Sequence, residues 1–250
     1  MTRAFSLQGY GLLLGALRAR GYRCRPFHNY QLDQAHLLLR HDVDLSLAAA
    51  VRMAELEQAL GGRATYFVMI RSELYNPCSA DGLAALRRIR DLGHDVGLHT
   101  DTTLYGDDGE ALDEGVALEA KLLERLVGQP VTMISVHRPS RAVLGSGDTL
   151  GGRPHTYAPR YFEATGYCSD SRGRFGEHHP LDHPAVQQGR ALQLLIHPIW
   201  WVADDEETAQ DKLERFAAAR VRHFHQTLAR ECSVYEAPAE GSTRVRLPAG

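Results

Sequence analysis

Four short runs of this chain carry the residue types that hydrolytic chemistry needs. Arg40-His41-Asp42-Val43-Asp44 holds two carboxylates two residues apart. Gly93-His94-Asp95-Val96-Gly97-Leu98-His99 ends on a histidine, and His137-Arg138 and His197 each close an apolar run. In extended backbone, residues two apart point to the same side. Asp42 and Asp44 would then repel each other unless a cation neutralises one of them. A divalent metal on Asp44, with Asp42 left free beside it, gives each carboxylate a task. The ion lowers the pKa of a water toward neutrality, and Asp42 takes its proton. His99 is a natural nitrogen donor for the same ion.

Residues so far apart in sequence meet only if regular elements deliver them to one place. The chain alternates strand-like and helix-like segments, the pattern of a parallel sheet or barrel with helices outside. A helix is expected over 7–20, stopped at Gly21, followed by a strand over 37–40. Ser46 caps a helix over 47–60, and 64–70 is a buried strand. A helix from Ser79 or Asp81 to Gly93 leads into a strand over 95–99. A strongly helical run over 110–127 precedes a strand over 131–136. A Gly-rich loop over 143–155 overhangs the site, two more strands cover 167–169 and 192–196, and an amphipathic helix spans about 208–228. In that last helix Leu213, Phe216, Phe224 and Leu228 are available to pack inward, and the tail from 237 is frayed. His41, Asp42, Asp44, His99, Asp101, His137 and His197 all fall at strand ends, which in a parallel barrel form one rim. No repeat or composition shift marks a boundary, so 1–250 reads as a single α/β domain with its core over about 37–201.

The bulk composition narrows the function classes. The chain has 250 residues, 44% hydrophobic and 24% charged, with net charge -3. A sizeable core can form, and no basic stripe interleaved with aromatics speaks for nucleic acid or an anionic membrane. Cys24, Cys78, Cys168 and Cys232 are far apart and form no C-x-x-C pair, so they read as reduced thiols. No apolar run is long enough for a membrane span, and the N-terminus lacks a convincing secretory segment. A cytoplasmic enzyme is expected.

Arg40 to Asp44 resembles the first motif of the polysaccharide deacetylase superfamily, the NodB-homology or carbohydrate esterase family 4 fold. Gly93 to His99 resembles the strand entering its second motif. Tyr75-Asn76-Pro77, Ser135-Val136-His137-Arg138-Pro139-Ser140, Ser169-Asp170-Ser171 and Ile196-His197-Pro198 are similar to the WbmS-like subgroup, associated with surface polysaccharides. The resemblance implies a distorted (β/α)7 barrel that hydrolyses an N-acyl or O-acyl group, with Asp42 as base and Asp44 on the metal, most naturally zinc. It implies that His197 protonates the leaving group and that Asp170 orients it. The family's second metal histidine, four residues after the first, is here Thr103, a poor zinc ligand. His137 is the favoured third ligand, with Asp101 as the alternative.

Other residues fall around this set. Arg138, Asp170, Ser140 and Trp201 are assigned to supporting the site or touching substrate, Arg138 through an anionic substrate group. Of Trp200 and Trp201, one lines the pocket and the other is core. His178, His179 and His183 lie on a solvated or substrate-lining surface. The expected substrate is a small carbohydrate-like molecule: a sugar nucleotide, a lipid-linked sugar or a glycosylated metabolite. The rival readings are a hydrolase of another C–N bond and a degenerate barrel that binds a sugar without chemistry. Metal content separates the last from the rest.

Overall fold

The computed structural model describes residues 4–106, 109–139, 143–144, 147, 149–203 and 207–238. It falls into two compact units, 1–206 and 207–250. In the first, α1 (Leu7–Ala19) leads to β1 (Arg23–Cys24), β2 (His36–Val43), α2 (Leu47–Ala59), β3 (Thr65–Val68), α3 (Ala80–Asp91) and β4 (Asp95–Asp101). Then come α4 (Gly109–Val127), β5 (Ile134–His137), the short pair β6 (Thr149–Leu150) and β7 (Arg153–Pro154), and α5 (Pro159–Phe162). β8 (Gly166–Ser169), α6 (Pro184–Gln187) and β9 (Leu192–Ile196) complete the unit. Serines cap three of the helices, at Ser46 as expected and at Ser79, the first of the two expected starts: Ser6, Ser46 and Ser79 accept from Gly9, Ala49 and Gly82 N–H.

Among the described residues seven strands form one parallel sheet, ordered β5-β4-β3-β2-β9-β8 and curled into a half-barrel. β2 is central. β9 runs along one edge from Leu37 to His41. On the other edge β1 pairs at His36 and Leu37, and β3 takes over from Arg40. The fold is the expected α/β class with parallel strands and helical crossovers.

Strand alternation sorts every side chain to one of two environments. Leu37, Leu39 and Val43 of β2 join Tyr66, Val68, Val96, Leu98, Leu192, Leu194 and Ile196 against the helices in the main core. Leu38 and Phe67 face the inside of the curl, with Phe27, Met133 and Tyr161. Phe67 lies so close over Gly97 that a Cβ there would sit 2.5 Å from the ring and 2.9 Å from the Met133 carbonyl oxygen. Only glycine fits between them. This apolar plug fills the lower interior and leaves the polar residues stacked above it.

The helix-facing side also buries a polar knot. Glu57 of α2 accepts from Tyr10 at 2.5 Å and Tyr66 at 2.8 Å, and lies 2.6 Å from His41 Nε2. All four residues are fully buried. Burial alone would raise the Glu57 carboxyl, but His41 and its other partners hold it below its ordinary value. His94 Nδ1 accepts from Ala64 N–H at 3.1 Å while Nε2 lies 2.9 Å from the Ala54 carbonyl oxygen. That pairing demands the neutral ring, and burial lowers its pKa.

Several expectations are adjusted. The strand expected over 131–136 begins only at Ile134 and runs to His137, and the one expected over 37–40 extends to Val43. The segment 143–155 is not all loop, because Thr149 pairs with Pro154 and Leu150 with Arg153. In the second unit, α7 (Ala209–Glu231) starts with a capping box between Thr208 and Asp211. Phe224, expected to pack inward, is 60% exposed. Most of the tail from 237 lies outside the described residues. Among the described residues no helix is long and apolar enough to cross a membrane.

A group whose folded pKa is depressed binds its proton later than the unfolded chain does, so acid favours unfolding. For His94 this loss sets in below the unfolded value of about 6.5, and for Glu57 below about 4.3. Urea midpoints of wild type and His94→Gln, measured between pH 8 and pH 5 (about the window of the first loss), should show the smaller acid-side decline in the variant. Parallel curves would remove His94 from the account.

Candidate active site

The inner face of the sheet rises from the apolar plug to a polar layer built on β2. Arg40 and Asp42 sit two apart and therefore share this face. Arg40 Nε donates to Asp42 Oδ1 at 2.9 Å and Nη2 to Oδ2 at 2.7 Å. Arg40 is fully buried and Asp42 is 2% exposed. The guanidinium also donates to Ser135 Oγ at 2.7 Å, Tyr157 OH at 3.1 Å and Gln193 Oε1 at 3.2 Å, and it lies over the Tyr157 ring. Ser135 Oγ in turn donates to Asp42 at 3.1 Å. Burial works against both charges, yet the pair keeps Arg40 charged and holds Asp42 below the usual carboxylate range. The Asp42 carboxylate, expected to lie beside the metal without binding it, is clamped on both oxygens. Arg40 received no role from sequence, although its spacing from Asp42 was the available signal.

At the rim, β2 ends at Val43 and Asp44 follows. Tyr75 fixes this junction: its hydroxyl donates to the Val43 carbonyl oxygen at 2.6 Å and accepts from Met69 N–H at 2.8 Å. Asp44 Oδ1 lies 3.0 Å from His99 Nε2 and 3.5 Å from His137 Nδ1. The His99 and His137 rings meet edge to face at 5.2 Å. One donor atom from each of Asp44, His99 and His137 falls within 4.8 Å of the others. Asp44 Oδ1 and His99 Nε2 are buried with no hydrogen-bond partner among the described residues. Buried polar atoms are rarely left so. A carboxylate and two imidazoles facing one another in this way fit a divalent cation. As protein groups alone, burial would raise the Asp44 carboxyl, but His137 and His99 hold it well below the usual range, and Asp44 raises His137.

Asp101, the alternative ligand, is occupied elsewhere. Its Oδ1 accepts from Thr103 N–H at 3.0 Å and Thr103 Oγ1 at 2.7 Å, capping the turn after β4. Across the rim, His197 follows β9. Its Nδ1 lies 2.6 Å from Asp170 Oδ1, and its backbone N–H donates to the same carboxylate at 3.0 Å. Trp201 Nε1 donates to Asp170 Oδ2 at 2.7 Å. Nε2 of His197 faces Asp44 Oδ2 at 3.8 Å. Burial lowers the His197 pKa, but Asp170 overcomes it and lifts the ring to about 9. Trp201 is 2% exposed and stacks on Phe5, so it takes the core place and supports Asp170 instead of touching a substrate.

The other expected residues scatter. Arg138 is exposed, next to His137, at a left-handed φ of 49°. Ser140 lies outside the described residues. His41 shares the motif of Asp42 but points to the opposite face, into the Glu57 knot, and His94 packs there too. His178 and His183 line a separate cleft beside β8.

No protein-family model and no curated protein sequence matches the chain. Among solved structures it is similar to a family 4 carbohydrate esterase from Bacillus anthracis, with 17% identity over 84% of this chain and 85% of that one, at a TM-score of 0.43. A deacetylase from Streptococcus pyogenes in complex with acetate shows 13% identity over 82% and 84%, at 0.44. A family 4 pseudoenzyme from Bacillus anthracis shows 13% identity over 76% and 62%, at 0.40. Overlaps at these TM-scores carry nothing about chemistry.

The buried Arg40–Asp42 pair makes a stability test. Removing one partner leaves a buried charge without compensation, costing about 3–5 kcal/mol. Arg40→Met should lose that much in urea unfolding, and Arg40→Met with Asp42→Asn should lose less than Arg40→Met alone. Strict additivity of the two substitutions would show that the charges do not act as a pair.

Proposed function

We propose that the protein is a metal-dependent hydrolase that removes an acyl group, probed first as acetyl, from an amino sugar or a small sugar-containing substrate. The observation that carries this reading is the convergence of Asp44, His99 and His137 on one point, with Asp42 on one side and the His197–Asp170 pair on the other. Asp44, His99 and His137 would hold the ion, and the donor set suits zinc. When bound, such an ion supplies Lewis acidity and the positive charge that lets a water ionise near neutral pH.

The chain's own residues divide the proton transfers. Asp42 takes a proton from the attacking water. Its clamp by Arg40 and Ser135 keeps the carboxylate ionised and fixed in direction, at the cost of basicity, so it serves a water that is already acidified. His197 gives a proton from Nε2 to the leaving amine or alcohol, which departs poorly as an anion. Asp170 holds Nδ1 and so presents Nε2 to the site, and Trp201 and the His197 backbone N–H hold Asp170 in turn. The substrate class is a sugar nucleotide, a lipid-linked sugar or a glycosylated metabolite.

The roles separate by mutation. Asp42→Asn should retain about one equivalent of zinc by elemental analysis and lose about 10²–10⁴ in acetate release from a panel of N-acetyl and O-acetyl sugars. Asp44→Asn should lose both metal and turnover. Full activity in Asp42→Asn would remove it as the base. A wild-type protein that never takes up metal would favour a sugar-binding barrel without chemistry.

A further inference from the structure

Ser169-Asp170-Ser171 and the histidines that follow have only Asp170 accounted for by the hydrolytic site. The rest come together in one place. Beside β8, and under the segment that follows it, lies a cleft of about 360 Å³ lined by Tyr167, Ser169, Ser171, Arg172, Arg174 and His178 among others. Binding pockets for small molecules begin at roughly this volume. Arg172 and Arg174 are both exposed, and neither is paired with a carboxylate among the described residues. Arg172 is held at a left-handed φ of 64°, which a side chain rarely adopts without a reason in the surrounding structure. Ser169 Oγ and Ser171 Oγ are 2.7 Å apart, so one hydroxyl proton is shared between them. The only acid lining the cleft, Glu177, has an 89% exposed side chain 3.8 Å from His178.

The cleft is separate from the reaction centre but adjoins it through residues already described. Ser169 and Ser171 flank Asp170, the partner of His197. A molecule resting on Arg172 and Arg174 would therefore have the Asp170–His197 pair as a neighbour.

The geometry points to this cleft as a subsite for a phosphate or diphosphate ester, so that the substrate of the hydrolase is a phosphorylated acyl sugar. The inference rests on the hydrolase reading for what is joined to the phosphate, but not for the anion site itself. Two guanidinium groups offer more donors than one carboxylate can use, and they match the several oxygens of a phosphate or diphosphate. The cationic walls also attract such a group from solution.

Titration of the zinc-loaded protein with pyrophosphate, followed by calorimetry, tests this. Arg172→Ala with Arg174→Ala should weaken binding by about tenfold or more, and Asp44→Asn should leave it within about threefold, a difference of under 1 kcal/mol. Malonate should bind more weakly than pyrophosphate. No binding by wild type at millimolar pyrophosphate overturns the proposal. So does unchanged binding in the double arginine variant, or loss in Asp44→Asn alone, which would put the anion on the metal residues. Malonate binding as tight as pyrophosphate overturns the assignment to phosphate. Because the readout is binding, it stands whether or not any acyl sugar is turned over. If turnover is found, the double arginine variant should raise KM for a phosphorylated N-acetyl sugar and leave an uncharged one unchanged.

Discussion

Opposite charges are buried together on the central strand, and the upper half of the sheet is arranged around them. Arg40 and Asp42 cannot leave their positions without exposing a lone charge to the apolar interior, a far larger loss than a surface pair would suffer. Further hydrogen bonds come from other strands and from the segment before α5: Ser135 from β5, Gln193 from β9 and Tyr157 beyond β7. The same ring of partners that neutralises the pair also ties β5 and β9 to β2. Stability of the half-barrel and orientation of Asp42 are consequently one problem with one solution.

The sheet separates two polar systems that share a five-residue motif. Residues 40, 42 and 44 go to the inner face and rim, while His41 goes to the helix side and meets Glu57. One system is closed, with four fully buried residues bonded around Glu57, and within it only His41 Nδ1 lacks a partner among the described residues. The other is open at its top, where Asp44 Oδ1 and His99 Nε2 are left unpaired. An unpaired set of donors at the end of a rigid stack is what a cation site requires, and rigidity below is what keeps it from collapsing.

Much of this was legible because strand period and apolar runs act locally. Alternating β-like and helix-like segments, serine caps and the clustering of polar residues at strand ends all follow from neighbours in sequence. The same rule of alternation would have moved His41 off the rim and put Arg40 beside Asp42, had it been applied to the whole motif. Other features depend on contacts that no local rule contains. Asp101 and His137 are both plausible donors by type, and what separates them is position: His137 groups with Asp44 and His99, while Asp101 Oδ1 caps the Thr103 turn. Whether Trp200 or Trp201 is core depends on Phe5, nearly two hundred positions earlier. The pairing of Thr149 with Pro154 is two residues long, too short to leave a periodic signal.

The Tyr75 hydroxyl carries a wider consequence. It bridges Met69 N–H and the Val43 carbonyl oxygen, the peptide group immediately before Asp44. The loop bearing Tyr75-Asn76-Pro77 is thereby tied to the peptide that carries Asp44, one of the three candidate ligands. One phenol oxygen thus couples the position of that loop to the backbone from which the rim aspartate projects.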